Sequence, residues 1–260
     1  MYLKNIINET IEYRFFLNEQ VGHLVLLRYR RTVLGYLWNL LSPLMTMSIT
    51  TFVFATIYRT DIPDFTIYLF SGMLVFSFFR DSLSISSNVF LQNENLIKKV
   101  YVPRFLFPLS RVIFAGIDNI SLFTALSLII FFLGGKFSIA LIMIPIFYII
   151  LFLFCLGFGL IFSVLSVYFR DLPYLINIGL QGLLFLSPVF IKPTIFPSKL
   201  NYLLKLNPIT YYIDLFRYPL YKGTFPPTTS VLISTFMSVF CIIIGFKFFY
   251  KYKDTIPMKL

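Results

Sequence analysis

The stretch Arg28-Tyr-Arg-Arg-Thr-Val-Leu-Gly-Tyr-Leu-Trp-Asn-Leu-Leu-Ser-Pro43 runs a cationic cluster straight into an apolar helix, with a tryptophan at the boundary. Guanidinium groups are costly in hydrocarbon and favourable beside anionic headgroups, and an indole settles where water meets lipid. The junction therefore marks where the chain enters a membrane, with its basic side in the cytoplasm. Anchoring alone accounts for such a cluster; a binding role is a second reading, and both stand at this point.

The rest of the sequence is of the same kind. Of its 260 residues 58% are hydrophobic and 13% charged, with a mean hydropathy of +0.84, whereas a soluble domain is roughly half apolar and a quarter charged. The chain is an integral membrane protein. Its net charge of +11 would suit nucleic acid in a soluble protein, but here the basic residues gather at the ends of apolar segments, so nucleic acid is excluded as a partner. Cys155 and Cys241 lie inside apolar runs and read as small buried hydrophobes. His23 stands alone and cannot make a zinc site by itself.

Glu9, Glu12, Arg14, Asn18, Glu19 and Gln20 interrupt any secretory signal core in the first 27 residues. Leu3, Ile7, Ile11 and Phe15 instead recur every four residues, predicting an amphipathic helix lying in the membrane interface. Six apolar stretches follow, at 34–58, 66–91, 105–133, 139–168, 174–191 and 229–249, each long enough to cross hydrocarbon given about 20 helical residues per crossing. An even number puts both termini on one side. That side holds thirteen lysines and arginines against seven on the other, which makes both termini cytoplasmic. The chain reads as one domain over 1–260: a cytoplasmic interface helix (1–32), a six-span region (34–249) and a cytoplasmic tail (250–260).

Segment 192–228, between spans five and six, carries helix signals of its own. Ser198 can cap a short helix holding Leu200, Leu203 and Leu204, and Asn207-Pro208 is a cap with proline at the first helical position. Tyr211, Tyr212, Leu215 and Phe216 give the second helix an apolar face, and Gly223 with Pro226-Pro227 closes the segment. The pattern fits a re-entrant hairpin dipping into the outer leaflet under protein cover, or two helices resting on the surface.

Gly134-Gly135-Lys136-Phe137-Ser138 lacks the spacing of a nucleotide-binding loop, so any ATP must be hydrolysed by a partner. Scattered single aspartates and the absence of a serine or cysteine constellation argue against catalysis. Arg80 and Asp81 interrupt the second span, and Arg111 and Asp118 share a face of the third; such charges either line a conduit or pair between helices. Gly157, Gly159 and Ser163 suit close helix packing. Between spans two and three, Asn93-Glu-Asn-Leu-Ile-Lys-Lys-Val-Tyr-Val-Pro-Arg104 alternates polar and apolar residues where there is no membrane to enter, which suits a short helix docking on a soluble partner.

Leu34-Gly35-x2-Trp38-x4-Pro43 after a basic cluster, Leu96-Ile97-Lys98-Lys99-x3-Pro103-Arg104-x3-Pro108, Tyr168-Phe169-Arg170-Asp171, Ser187-Pro188, and Asn207-Pro208 with Arg217 together resemble the membrane subunit of bacterial polysaccharide-exporting ABC transporters, the type-2 class that includes O-antigen, capsule and teichoic acid permeases. The resemblance implies a homodimer in the bacterial plasma membrane, docked on two copies of a separate ATPase that binds ATP and Mg, with no cofactor in this chain. It makes Leu96, Ile97, Lys98, Lys99, Pro103 and Arg104 the coupling segment. The outer gate is then the 192–228 hairpin with Asn207, Pro208, Tyr211, Tyr212 and Arg217. The implied cargo is a glycan on a polyprenyl diphosphate, most fittingly O-antigen. Arg28, Arg30 and Arg31 suit the carrier's diphosphate because guanidinium matches phosphate oxygens bidentately. Tyr36, Tyr58 and Phe70 are candidate rings lining a conduit. A type-2 permease for a small hydrophobic compound and a proton-coupled carrier are the rival classes.

Overall fold

The computed structural model describes residues 2–30, 33–132, 138–190 and 204–260, and among these there is no strand. Two helices come first, α1 (Tyr2–Glu12) and α2 (Arg14–Tyr29), followed by α3 (Trp38–Tyr58) and α4 (Ile62–Ser87). Short α5 (Val89–Gln92) and α6 (Glu94–Lys99) lead to α7 (Leu106–Phe132), α8 (Ile144–Tyr168) and α9 (Leu172–Phe185). Then come α10 (Pro208–Arg217), α11 (Thr228–Tyr252) and α12 (Ile256–Lys259). Among the described residues five stretches are long and apolar enough to cross a membrane: Trp38–Tyr58, Ile62–Ser87, Leu106–Phe132, Ile139–Tyr168 and Thr228–Lys259.

The predicted fifth span, 174–191, differs. Its helix α9 has 14 residues, about 21 Å at 1.5 Å per residue against a hydrocarbon core of about 30 Å. Pro188 disfavours helical backbone at Ser187 and so ends the element early. Residues 191–203, which hold Ser198, Leu200 and Leu203 of the predicted hairpin, lie outside the described residues. The second half of that hairpin is present as α10. Asn207 caps it by accepting from the Ile209 N–H (3.0 Å) ahead of Pro208, as the Asn-Pro signal predicts. After a π-helical turn (Tyr218–Lys222), Gly223 takes φ 67° and reverses the chain, a conformation open to glycine at little cost.

Helix α4 is the centre of the bundle, in contact with α3, α7, α8, α9 and α10. Its Phe65, Leu69, Phe70, Leu74, Val75, Phe76 and Phe78 are all at most 1% exposed. Arg80 and Asp81 sit within α4 without breaking it. By contrast α3 and α11 turn Ile49, Phe52, Ile57, Leu232, Phe236 and Phe240 outward, the surface that lipid solvates as well as protein does. Hydroxyls on α3 fold back on their own helix: Thr46, Ser48, Thr50 and Thr56 each donate to the carbonyl four residues earlier, at 2.7–2.9 Å. These four hydroxyls then offer hydrocarbon no bare donor.

The N-terminal helices follow the predicted stripe only in part. Ile7, Ile11 and Phe15 are outward and apolar, as an interface helix requires, but α2 runs alongside α7. Phe16 packs edge-on against Phe107 (centroids 5.5 Å) and Arg28 reaches Asp118. Those contacts span about 18 Å of α2 and about 16 Å of α7, so the two helices travel together.

Helices α8 and α11 approach most closely at Gly157 and Gly245. A Cβ at Gly157 would lie 2.5 Å from the Cys241 carbonyl carbon, and one at Gly245 2.6 Å from the Gly157 oxygen. Missing side chains allow backbones this close. Gly157→Ala should therefore force the helices apart and lower stability by about 1–3 kcal/mol or more, read as a drop in melting temperature of the detergent-solubilised chain. Gly179→Ala, where nothing lies within 4 Å, should leave it unchanged.

Candidate functional site

The junction between α2 and α3 opens onto a cavity of about 520 Å³ walled by Arg28, α3 from Trp38 to Met47, the Met73 to Asp81 stretch of α4, and Asp118, Asn119 and Leu122 of α7. The local turn is built by sequence: Gly35 takes φ 50°, which lets α3 start at Trp38 directly after the basic cluster. Arg28 forms an ion pair with Asp118 and lies over the Phe114 ring at 5.7 Å. Asn39 donates to Asp118 Oδ1 (3.2 Å) and to Ser121 Oγ (2.9 Å). Across the cavity the Arg80 Nε meets Asp81 Oδ1 at 2.9 Å. The lining thus combines charged and polar groups with the apolar Trp38, Pro43, Met47, Met73 and Leu122.

Of the three arginines read as one cluster, only Arg28 lines this cavity; Arg30 is exposed and Arg31 lies outside the described residues. Asp118 and Arg111 part company: Asp118 faces the cavity while Arg111 is buried two turns earlier on α7 and is not part of its wall. Asn39 was missed in the sequence. Its signal was an amide directly after the boundary tryptophan, inside a helix that otherwise buries few polar groups.

A second polar cluster ties α10 to α4. Arg217 is 4% exposed, with its guanidinium carbon 3.8 Å from the Tyr68 ring centre. Its Nη1 donates to the Tyr68 hydroxyl (3.1 Å) and Nη2 to the Tyr68 carbonyl (3.4 Å). The Tyr68 hydroxyl in turn donates to the Pro188 carbonyl (3.2 Å), and Asn207 donates to Ser187 Oγ (2.8 Å). Gly72 leaves room beneath, since a Cβ there would stand 2.5 Å from Arg217 Nη2 and displace the guanidinium. Asn207, Pro208 and Arg217 are therefore brought together with Ser187-Pro188. Tyr212 is not at a surface: it is fully buried, donates to the Ser234 carbonyl (2.9 Å) and packs at a tilt against the Phe154 ring at 4.5 Å. Tyr211 reaches back to the Lys205 carbonyl (2.8 Å). Phe70 is 1% exposed and packs as core, Tyr58 is half-buried against Phe54 and Phe65, and the Tyr36 side chain lies outside the described residues.

The third site is at the bundle end that carries Lys98, Arg104, Arg170 and Lys253. Helix α6 forms within the predicted coupling segment but ends at Lys99, and Val100 is extended. Lys98 donates to Glu94 (2.6 Å), holding that carboxyl below the usual carboxylate range. Ile97 and Val102 turn into the core, and Leu96 and Pro103 are half-buried, while Lys98, Lys99, Val100 and Tyr101 face outward, Tyr101 at 86% exposure. Arg104 is not outward: its Nη1 donates to the Lys253 carbonyl (2.7 Å) beside Asp254 (3.4 Å). The tail folds under the segment, with Ile256 fully buried and the Tyr168 hydroxyl 2.5 Å from Thr255 Oγ1. Sequence reading missed this brace, because a charged tail looks solvated until its partner is known.

The chain belongs to the ABC-2 type transporter membrane family, whose profile matches residues 23–221. It is 31% identical over 183 residues to an O-antigen export system permease protein RfbA of Klebsiella pneumoniae, covering 70% of this chain and 71% of that one. A protein of the same name from Myxococcus xanthus is 25% identical over 237 residues, covering 90% and 91%. A polysialic acid transport protein KpsM of Escherichia coli is 24% identical over 221 residues, covering 84% and 86%.

A guanidinium bond to a carbonyl is worth about 1.5–3 kcal/mol, so Arg104→Gln should release the tail. Limited trypsin digestion should then cut at Lys253 about tenfold faster or more, with the spans intact.

Proposed function

We propose that this chain is the membrane subunit of an ATP-driven exporter whose cargo is a cell-surface polysaccharide, O-antigen first among them, linked to a polyprenyl diphosphate. The observation that carries this reading is the cavity at the α2–α3 junction, which brings the guanidinium groups of Arg28 and Arg80 together with the apolar side chains of Trp38, Pro43, Met47 and Met73. That combination of groups suits an anionic headgroup on a hydrocarbon tail. At about 520 Å³ the cavity holds a headgroup and its first sugar but no polymer, since pockets of about 300–1,000 Å³ hold single small molecules. A polysaccharide must then thread past the site through a conduit, and the carrier's diphosphate is what the site grips. The printed names of the K. pneumoniae, M. xanthus and E. coli relatives support the cargo class.

Both termini are taken as cytoplasmic, which puts the braced α6 segment where a soluble ATPase can reach it. The ATPase subunit binds the ATP and Mg, and its docking surface is Lys98, Lys99, Val100 and Tyr101. Apolar residues left outward on α9, including Tyr174, Leu175, Ile178 and Phe185, suit a second copy of the chain as partner.

Reconstituted with its ATPase into liposomes, the chain should move lipid-linked polysaccharide only when ATP is hydrolysed. Transport by the chain alone down a proton gradient would overturn the reading, and so would ATP-driven export of hydrophobic dyes with no effect of lipid-linked glycan. Tyr101→Ala with Lys98→Glu should cut ATP-coupled export about thirtyfold, as expected when an aromatic contact worth about 2 kcal/mol is lost, while the melting temperature stays the same.

A further inference from the structure

Two guanidinium groups share the cavity, and each is already engaged by a carboxylate of this chain. Arg28 meets Asp118 through Nη1, and Arg80 meets Asp81 through Nε. Two arginines and two aspartates leave the wall neutral overall. The pairs are placed unevenly: the Asp118 side chain is 10% exposed and belongs to the wall, whereas Arg28 is 46% exposed and Arg80 42%. The cations are therefore the more exposed members of the two pairs, and the Asp118 carboxylate is the most buried of the four groups. A half-exposed arginine is cheap to unpair because water screens the contact. A buried carboxylate is not, unless another donor remains. Asn39 supplies that donor at 3.2 Å, anchored in turn on Ser121.

The location gives the pair a mechanical consequence. Arg28 is in the last turn of α2, seven residues before Gly35 of the turn that leads into α3, and Asp118 is in the middle of α7. Their contact pins the α2–α3 junction to α7 at the mouth of the cavity. We propose that Asp118 is an internal stand-in for phosphate: its pair with Arg28 latches the mouth, and a diphosphate headgroup opens it by replacing Asp118 on Arg28, with Arg80 as the second guanidinium. Phosphate oxygens present the same bidentate geometry as a carboxylate with more charge, so exchange conserves the contact and releases the latch. A single phosphate, as on ordinary phospholipids, engages one guanidinium and competes poorly with Asp118. The latch thus makes the diphosphate the group that the mouth recognises. This inference rests on the lipid-diphosphate reading above and adds its selectivity.

Trp38 is the only tryptophan in the chain and lines the cavity, so its emission reports binding in the purified full chain held in amphipol. Undecaprenyl diphosphate is the probe, with undecaprenol, undecaprenyl monophosphate and inorganic pyrophosphate as comparisons. Asp118→Asn should tighten undecaprenyl diphosphate binding about tenfold and narrow its preference over the monophosphate; Arg28→Gln and Arg80→Gln should each weaken it about tenfold. The exchanged pair Arg28→Asp with Asp118→Arg should restore the melting temperature of the latch but not the affinity, which separates recognition from folding. Inorganic pyrophosphate should need about a hundredfold higher concentration, and equal potency would assign the site to a free anion and overturn the lipid version. If wild-type chain binds the diphosphate lipid but Asp118→Asn binds it no more tightly, the latch is wrong and the carrier reading stands. If wild-type chain fails to distinguish the diphosphate lipid from undecaprenol, both fall together.

Discussion

A charge carried to hydrocarbon depth must be met by protein, because no water is there to meet it, and the architecture follows from where each charge of this chain is met. Arg217 finds no bulk solvent and lies on the face of Tyr68, whose hydroxyl then reaches Pro188. That single stacking draws α10 and the end of α9 onto the central helix, and Gly72 clears the space it needs. Asp118 draws Arg28 in the same way and carries the N-terminal helices along α7. Arg104 draws the C-terminal tail beneath α6.

These three attachments are built for different degrees of movement. The Arg217 cluster is buried among aromatic rings and joins elements distant in sequence, so it acts as a fixed hub. The Arg104 brace combines a bond to a main-chain carbonyl with the buried Ile256 and the Tyr168–Thr255 contact. It presents Lys98, Lys99, Val100 and Tyr101 on a firm base, which is what force transmission from a docked partner needs. The Arg28 contact is half-exposed and stands beside a glycine turn. Of the three it is the one that a ligand can exchange, and it is also the one at a cavity mouth.

Much of this was legible along the chain. Asn207-Pro208 named both the cap and the first residue of α10 because capping is local chemistry. Gly157 marked the close crossing of α8 and α11 because only a missing side chain permits it, and the alternation in 94–104 marked a short helix off the bundle. What the chain alone did not reveal has a common cause. Tyr212 read as part of a gate helix's apolar face and Phe70 as a conduit ring, since an aromatic residue has the same pattern whether it faces a conduit or a neighbouring helix. Arg104 read as a docking cation, since nothing near it in sequence shows that residues 253 and 254 return to meet it. The length assigned to α9 rested on apolar composition, which continues past the point where Pro188 turns the chain inward.

By itself, then, the sequence determined an all-helical membrane protein, its main apolar helices, its local caps and turns, and a basic end suited to a soluble partner. Hydropathy, periodicity and capping act over a few residues and are written in order along the chain. Tertiary structure alone decided which charges pair, which aromatic rings are interior, and that Arg28, Asn39, Arg80 and Asp118 surround one cavity. Those outcomes depend on contacts between residues as far apart as 28 and 118 or 68 and 217, and such contacts exist only once the helices have packed.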